Sequence, residues 1–229
     1  MNEFDGTIIH FLNQFSFRWP FLDRAVLAMT QFYMLRGVPM IALLWWIWFR
    51  DGEDKQRDRE IVVTAIVAGF CALVLGRLLA SWLPFRVRPL ANPDVGLRFL
   101  LASDDGMRTW SSFPSDHAML WCAVATGVMV ASRRIGMLAL AYTVLVICMA
   151  RVFVGLHFPT DVLCGAILGV SICLLLTQTR YRKPIAAPVL NFSERHQGVF
   201  QAGMFLLSFG LVTNFEEIRA VASFLMKVS

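Results

Sequence analysis

"IVVTAIVAGFCALVLGRLLASWL", residues 61–83, holds a single charged side chain, Arg77, and no proline. A helix of that length rises roughly 34 Å at about 1.5 Å per residue, enough to cross the hydrocarbon core of a bilayer. Four more apolar runs follow it, at 118–131, 135–150, 162–176 and 198–212, and one precedes it at 37–49. The early run spans if its helix begins near Ala25, although Arg36, Gly37 and Pro39 interrupt that reading. The chain of 229 residues is 57% hydrophobic and 16% charged, whereas soluble domains carry about 25% charged residues. The expected fold is therefore all-α: a polytopic transmembrane bundle of about six spans in a single domain, with its core at about 60–180, an extra C-terminal span at about 197–213, and an N-terminal interfacial helix.

The polar connections order the spans. Residues 50–60, 132–136 and 179–197 read as loops and hold ten of the 21 Lys and Arg residues. Two spans separate each of these loops from the next, so all three lie on one side, which the positive-inside rule makes cytoplasmic. That placement, rather than nucleic-acid binding, accounts for the net charge of +5. Residues 84–116 and 155–161 then share the extracytoplasmic face. The stretch from Glu3 to Phe17 reads as an interfacial helix with Ile8, Ile9, Phe11, Leu12 and Phe15 on its apolar face, and the tail from Glu216 reads similarly. The N-terminus lacks the basic segment and small-residue cleavage site of a signal peptide. The five cysteines lie in apolar runs without a Cys-x-x-Cys pair, as buried free thiols do.

Ionisable residues within or at the ends of membrane spans are costly and mark function by default. Here they are Arg77, Arg86, Arg88, Asp116, His117, Arg151, His157 and Asp161, joined by Ser115, and the topology brings them all to one face. Pro114 suits a first helical position, which puts Ser115, Asp116 and His117 in an opening turn with unpaired N–H groups and a positive dipole end. Pro159 repeats the device ahead of Asp161. Arg151 and Arg88 offer planar forks of donors, and two guanidinium groups beside a helix N-terminus make a receptor for a phosphoryl group. His157 with Asp161 suits a nucleophile whose tautomer a carboxylate sets, and His117 suits an acid that protonates a leaving oxygen and later activates water.

Each residue alone has a plainer reading. Either histidine alone is a satisfied interfacial or core residue, Asp161 alone a helix cap, and the arginines alone snorkel to headgroups. Their coincidence on one face favours the joint reading.

Three segments together resemble the membrane-bound type 2 phosphatidic acid phosphatases, relatives of vanadium haloperoxidases and bacterial acid phosphatases. That family carries Lys-x6-Arg-Pro, Pro-Ser-Gly-His and Ser-Arg-x5-His-x3-Asp. "SWLPFRVRP" matches the first at Arg88 and Pro89, "PSDH" the second at Pro114, Ser115 and His117, and "ARVFVGLHFPTD" the third at Arg151, His157 and Asp161. The resemblance covers about residues 60–180. It implies a phosphohistidine on His157 with Asp161 as its partner, His117 as general acid, phosphate held by Arg88, Arg151 and Ser115, and neither metal nor other cofactor.

The chain departs from that pattern at three positions. Ser81 stands where the family has lysine, and Arg77, one turn earlier, or Arg86 is its expected substitute, with Arg77 preferred. Ala150 replaces a serine. Asp116 replaces glycine, as in proteins that look like undecaprenyl diphosphate phosphatases, where it either tunes His117 or caps its helix.

The expected activity is that of a lipid phosphate phosphatase of a bacterial inner membrane, its site facing the exterior. The expected substrate is undecaprenyl diphosphate, with phosphatidate, phosphatidylglycerol phosphate or lipid A hydrolysis or phosphotransfer as alternatives. The contrasting class is a catalytically silent assembly or transport partner. The expected partners are membrane lipids and a lipid phosphate, not nucleic acid.

Overall fold

The computed structural model describes residues 2–52, 54–102 and 110–213, and among these every regular element is helical. In chain order they are α1 (Glu3–Asn13), α2 (Pro20–Gln31), α3 (Tyr33–Arg36), α4 (Val38–Phe49), α5 (Lys55–Trp82), α6 (Asp116–Ala131), α7 (Arg133–Phe153), α8 (Pro159–Leu176), α9 (Thr179–Arg195) and α10 (Gln197–Val212). Helices α5, α7 and α8 are long and apolar enough to cross a membrane, and α4, α6 and α10 are shorter apolar helices. The tail expected to be amphipathic, from Glu216, lies outside the described residues.

Helix α6 is the axis of the bundle. It is apolar on all sides, and every residue from His117 to Val128 is buried, as expected of a helix surrounded by others. Small residues on its neighbours permit the close packing that membrane bundles rely on. Gly69 and Gly76 of α5 abut Leu120 and Met119, while Gly165 and Gly169 of α8 abut the backbone at Ser115 and Met119. A Cβ at Gly165 would lie 2.6 Å from the Ser115 carbonyl oxygen, so glycine sets how near the start of α6 comes to α8.

The three basic segments meet at one end of the bundle. Arg50 pairs with Asp58 at 2.6 Å and donates to the Ala131 carbonyl at 3.0 Å, and Arg182 pairs with Glu60 at 3.0 Å. Residues 179–195, expected to be a loop because of their charges and prolines, form α9 instead. Pro184 and Pro188 lie inside it, and Ala186, Leu190 and Ser193 on its inner face are buried, so tertiary burial outweighs the two missing N–H donors.

Two further expectations change. No continuous helix runs from Ala25 to Phe49: Phe32 is extended (φ −88°, ψ 120°) and the backbone breaks again at Gly37, leaving α3 as a single turn between α2 and α4. Helix α1 presents Asp5 and Ile9 to the protein and leaves Phe11 exposed, so its inward face is not the purely apolar one. All five cysteines are free as expected, but Cys71 is exposed on the outer surface of α5 rather than buried.

Candidate active site

At the end opposite the basic segments, the starts of α6 and α8 lie side by side. The Ser115 N–H donates to the Asp161 carbonyl at 3.1 Å. Pro159 is the first residue of α8, as its fixed φ suits. Pro114 is not the first residue of α6: Ser115 is the N-cap, its Oγ accepting the Ala118 N–H at 3.5 Å, and Asp116 opens the helix. The side-chain cap takes the role expected of the proline, because a serine oxygen satisfies a donor that proline cannot.

Asp116 contacts both the backbone and the ring of His117. Its Oδ1 accepts the His117 backbone N–H and lies 2.8 Å from His117 Nδ1. A carboxylate can only accept, so Nδ1 carries the proton and Nε2 is the atom left for chemistry.

His157 lies in the turn between α7 and α8. Gly155 makes that turn with φ +77°, and a Cβ there would also strike the Phe99 ring. The Leu156 N–H returns to the Arg151 carbonyl at 3.0 Å, and Arg88 Nη1 donates to the Leu156 carbonyl at 3.1 Å. The imidazole is 2% exposed, and its Nδ1 lies 2.8 Å from the Ser112 carbonyl oxygen. A backbone carbonyl has no proton to give, so Nδ1 is again the donor and Nε2 again presents a lone pair. Asp161 was expected to set this tautomer, but its Oδ2 is 3.9 Å from Nδ1 and accepts the Phe158 N–H at 2.7 Å instead. It contributes charge at close range rather than a hydrogen bond. Burial foremost, then the charges of Arg88 and Arg151, hold the His157 imidazole well below its ordinary value of 6.5. Arg151 ends α7, is buried, and acts electrostatically on both imidazoles.

Arg86 has other work than the phosphate contact considered for it. Its Nη1 donates to Thr160 Oγ1 at 2.8 Å and pairs with Asp161, its Nη2 pairs with Asp5 at 2.6 Å, and its guanidinium lies 4.2 Å from the Phe158 ring centre. The fully buried Asp5 also accepts the Thr160 N–H at 2.8 Å and its hydroxyl at 2.7 Å. The N-terminal helix is thereby locked onto the Asp161 turn. A carboxylate in register with Ile9 and Leu12 on an otherwise apolar stripe was the sequence signal for Asp5; nothing in the sequence marked the Ser112 carbonyl. Arg77 is half-buried on α5 next to Gly76, which abuts Met119 and Asp116, while Ser81 is exposed and donates to its own helix at Leu78.

Removing Asp5 leaves the Thr160 N–H without its acceptor and Arg86 with one carboxylate. Asp5→Ala is therefore expected to destabilise the protein by about 2–4 kcal/mol, read as a lower melting temperature in detergent, and to lower kcat because Asp161 loses its brace. An unchanged melting temperature would refute the locking role.

Residues 59–185 match the sequence profile of the PAP2 superfamily. The bacitracin transport permease protein BcrC of Bacillus licheniformis is 25% identical over 203 residues, covering 87% of this chain and 89% of that protein. An undecaprenyl-diphosphatase of Sulfolobus acidocaldarius is 32% identical over 133 residues, covering 57% of this chain and 60% of that one. The fold is shared with the crystal structure of the first transmembrane PAP2 type phosphatidylglycerolphosphate phosphatase from Bacillus subtilis, at a TM-score of 0.51 and 23% identity over 75% of this chain and 82% of that one.

Proposed function

The chain belongs to the PAP2 superfamily and is a membrane-bound lipid phosphate phosphatase, and on that premise we propose that it hydrolyses undecaprenyl diphosphate through a phosphohistidine on His157, at the extracytoplasmic face of a bacterial inner membrane. The observation that carries the reading is the pair of imidazoles, each held at Nδ1 by an oxygen acceptor and each left with Nε2 for chemistry. In the first step His157 Nε2 attacks the terminal phosphorus. The bond to the leaving oxygen breaks, and a proton on His117 Nε2 passes to that oxygen, releasing the lipid monophosphate. In the second step His117 takes a proton from water, the oxygen attacks phosphorus, the P–N bond breaks, and inorganic phosphate leaves.

Arg88 and Arg151 offset the phosphoryl charge, and Ser115, whose oxygen accepts the Ala118 N–H, keeps its own O–H to donate. Asp161 offsets the positive charge that His157 acquires on attack. Undecaprenyl diphosphate is favoured as substrate by Asp116 in the "PSDH" motif and by the name of the Sulfolobus relative. The basic segments gathered at the far end of the bundle support an outward-facing site through the positive-inside rule.

Purified protein in detergent, offered undecaprenyl diphosphate, phosphatidate and phosphatidylglycerol phosphate, tests the reading by phosphate release. The diphosphate is expected to have the highest kcat/KM. Preference for another lipid would move the substrate, and no release from any of them would leave a silent transport or assembly partner.

The pH profile is a second check. His157 must be neutral to attack, and it is held below its ordinary value. The acidic limb of kcat/KM is therefore expected below about pH 6.5, the unperturbed histidine value. Between that pH and the lower folded-state value the unfolded chain takes up a proton that the folded one does not, so stability also falls as pH drops through this window. An acidic limb at or above neutrality would exclude a neutral buried nucleophile.

A further inference from the structure

Arg36 has no role in the mechanism above and lies outside the 59–185 segment. It ends the one-turn helix α3, between the breaks at Phe32 and Gly37, and is 7% exposed. Its Nε is buried without a hydrogen-bond partner, and its side chain makes no hydrogen bond or ion pair to the described residues. Its one contact of note is the Tyr33 ring, 4.6 Å from ring centre to guanidinium carbon. A cation–π contact offsets only part of the desolvation of a buried guanidinium, so the group is poised for an anion.

The backbone next to Arg36 points to the phosphoryl site. A Cβ on Gly37 would lie 2.8 Å from the Trp121 ring. Trp121 is four residues after His117 on α6, one turn deeper on the same face. The Tyr142 hydroxyl donates to the Leu35 carbonyl and ties α3 to α7, the helix that carries Arg151. The charge of Arg36 reaches His117 more weakly than those of Arg151 and Asp116. Arg86, meanwhile, is spent on Asp5, Thr160 and Asp161.

We infer that Arg36, a buried cation brought to the His117 face by the α2–α3–α4 break, supplies the further phosphoryl-binding group that exposed Ser81 does not. The inference rests on the proposed phosphatase reading for the identity of its anion as a phosphoryl group.

Inorganic phosphate is the probe, with purified full-length protein in detergent and binding measured by calorimetry and by phosphate-induced thermal stabilisation. Arg36→Gln is expected to weaken phosphate binding about ten- to a hundredfold, the loss typical of a charge-assisted hydrogen bond. Arg36→Lys should recover part of it. Without phosphate, Arg36→Gln should melt no lower than wild type, because it removes a buried charge that has no hydrogen-bond or ion-pair partner among the described residues.

Phosphate affinity within twofold of wild type in Arg36→Gln overturns the inference. So does a loss confined to pyrophosphate, which would put Arg36 on a second phosphate, or a variant that fails to fold without phosphate, which would make it structural. A wild type that binds phosphate in an Arg36-dependent way but releases none from any lipid sinks the phosphatase reading and leaves this one standing.

Discussion

Replacing His157 by alanine is expected to lower kcat on the order of 10⁴-fold or more, the scale on which covalent nucleophiles act. The side chain has no ready replacement in His117, which is held by Asp116 at Nδ1 and in the proposed mechanism delivers a proton rather than attacks. Folding should survive, because the turn that holds His157 is built by Gly155, by the Leu156 N–H bond to the Arg151 carbonyl and by the Arg88 bond to the Leu156 carbonyl, none of which uses the imidazole. Acid-sensitive, base-stable label on the wild-type protein after quenching with a terminally labelled diphosphate, and none on His157→Ala, would identify the covalent species. Near-normal turnover, or label that persists in the variant, would move the nucleophile elsewhere.

Asp161→Asn is the second large effect, expected at about 10²- to 10⁴-fold in kcat. The route differs from that of a carboxylate hydrogen-bonded to a catalytic histidine. Ser112 accepts the His157 N–H, so the neutral tautomer should persist in the variant, and the loss should come from the missing negative charge 3.9 Å from the ring as it becomes cationic. An amide also presents its NH2 either to the Phe158 N–H or to Arg86, where only an acceptor fits. A modest fall in melting temperature should accompany the loss of rate. The tautomer is separable by experiment: the ¹⁵N shifts of His157 should still report a protonated Nδ1 in Asp161→Asn. A flipped tautomer would restore the direct role first expected of Asp161, and full activity would remove Asp161 from the reaction.

Much of this site was legible before any coordinates. Pro-Ser-x-His and Arg-x5-His-x3-Asp keep their candidate site residues within a few positions of a helix start, so local geometry brings the members of each motif near one another. The contacts that the sequence did not show run across long separations: Asp5 to Thr160 and Arg86, and His157 to the Ser112 carbonyl, which no side-chain pattern can flag. Arg77, one turn before Ser81 on the same helix, was preferred over Arg86 as the substitute for the lysine. Only packing revealed that Arg86 is already engaged by two carboxylates.

By itself the sequence determined the class of molecule, an all-helical membrane protein, through runs that no soluble core of this size requires, and it brought out the main candidate site residues, because their spacing is local. The tertiary structure decided which atom of each histidine is available, which arginines are occupied and which face of the N-terminal helix turns inward. Those depend on the distances between segments far apart in the chain. A hydrogen bond changes character within about 1 Å, as the 2.8 Å to Ser112 and the 3.9 Å to Asp161 illustrate at His157. No residue pattern carries a length at that precision.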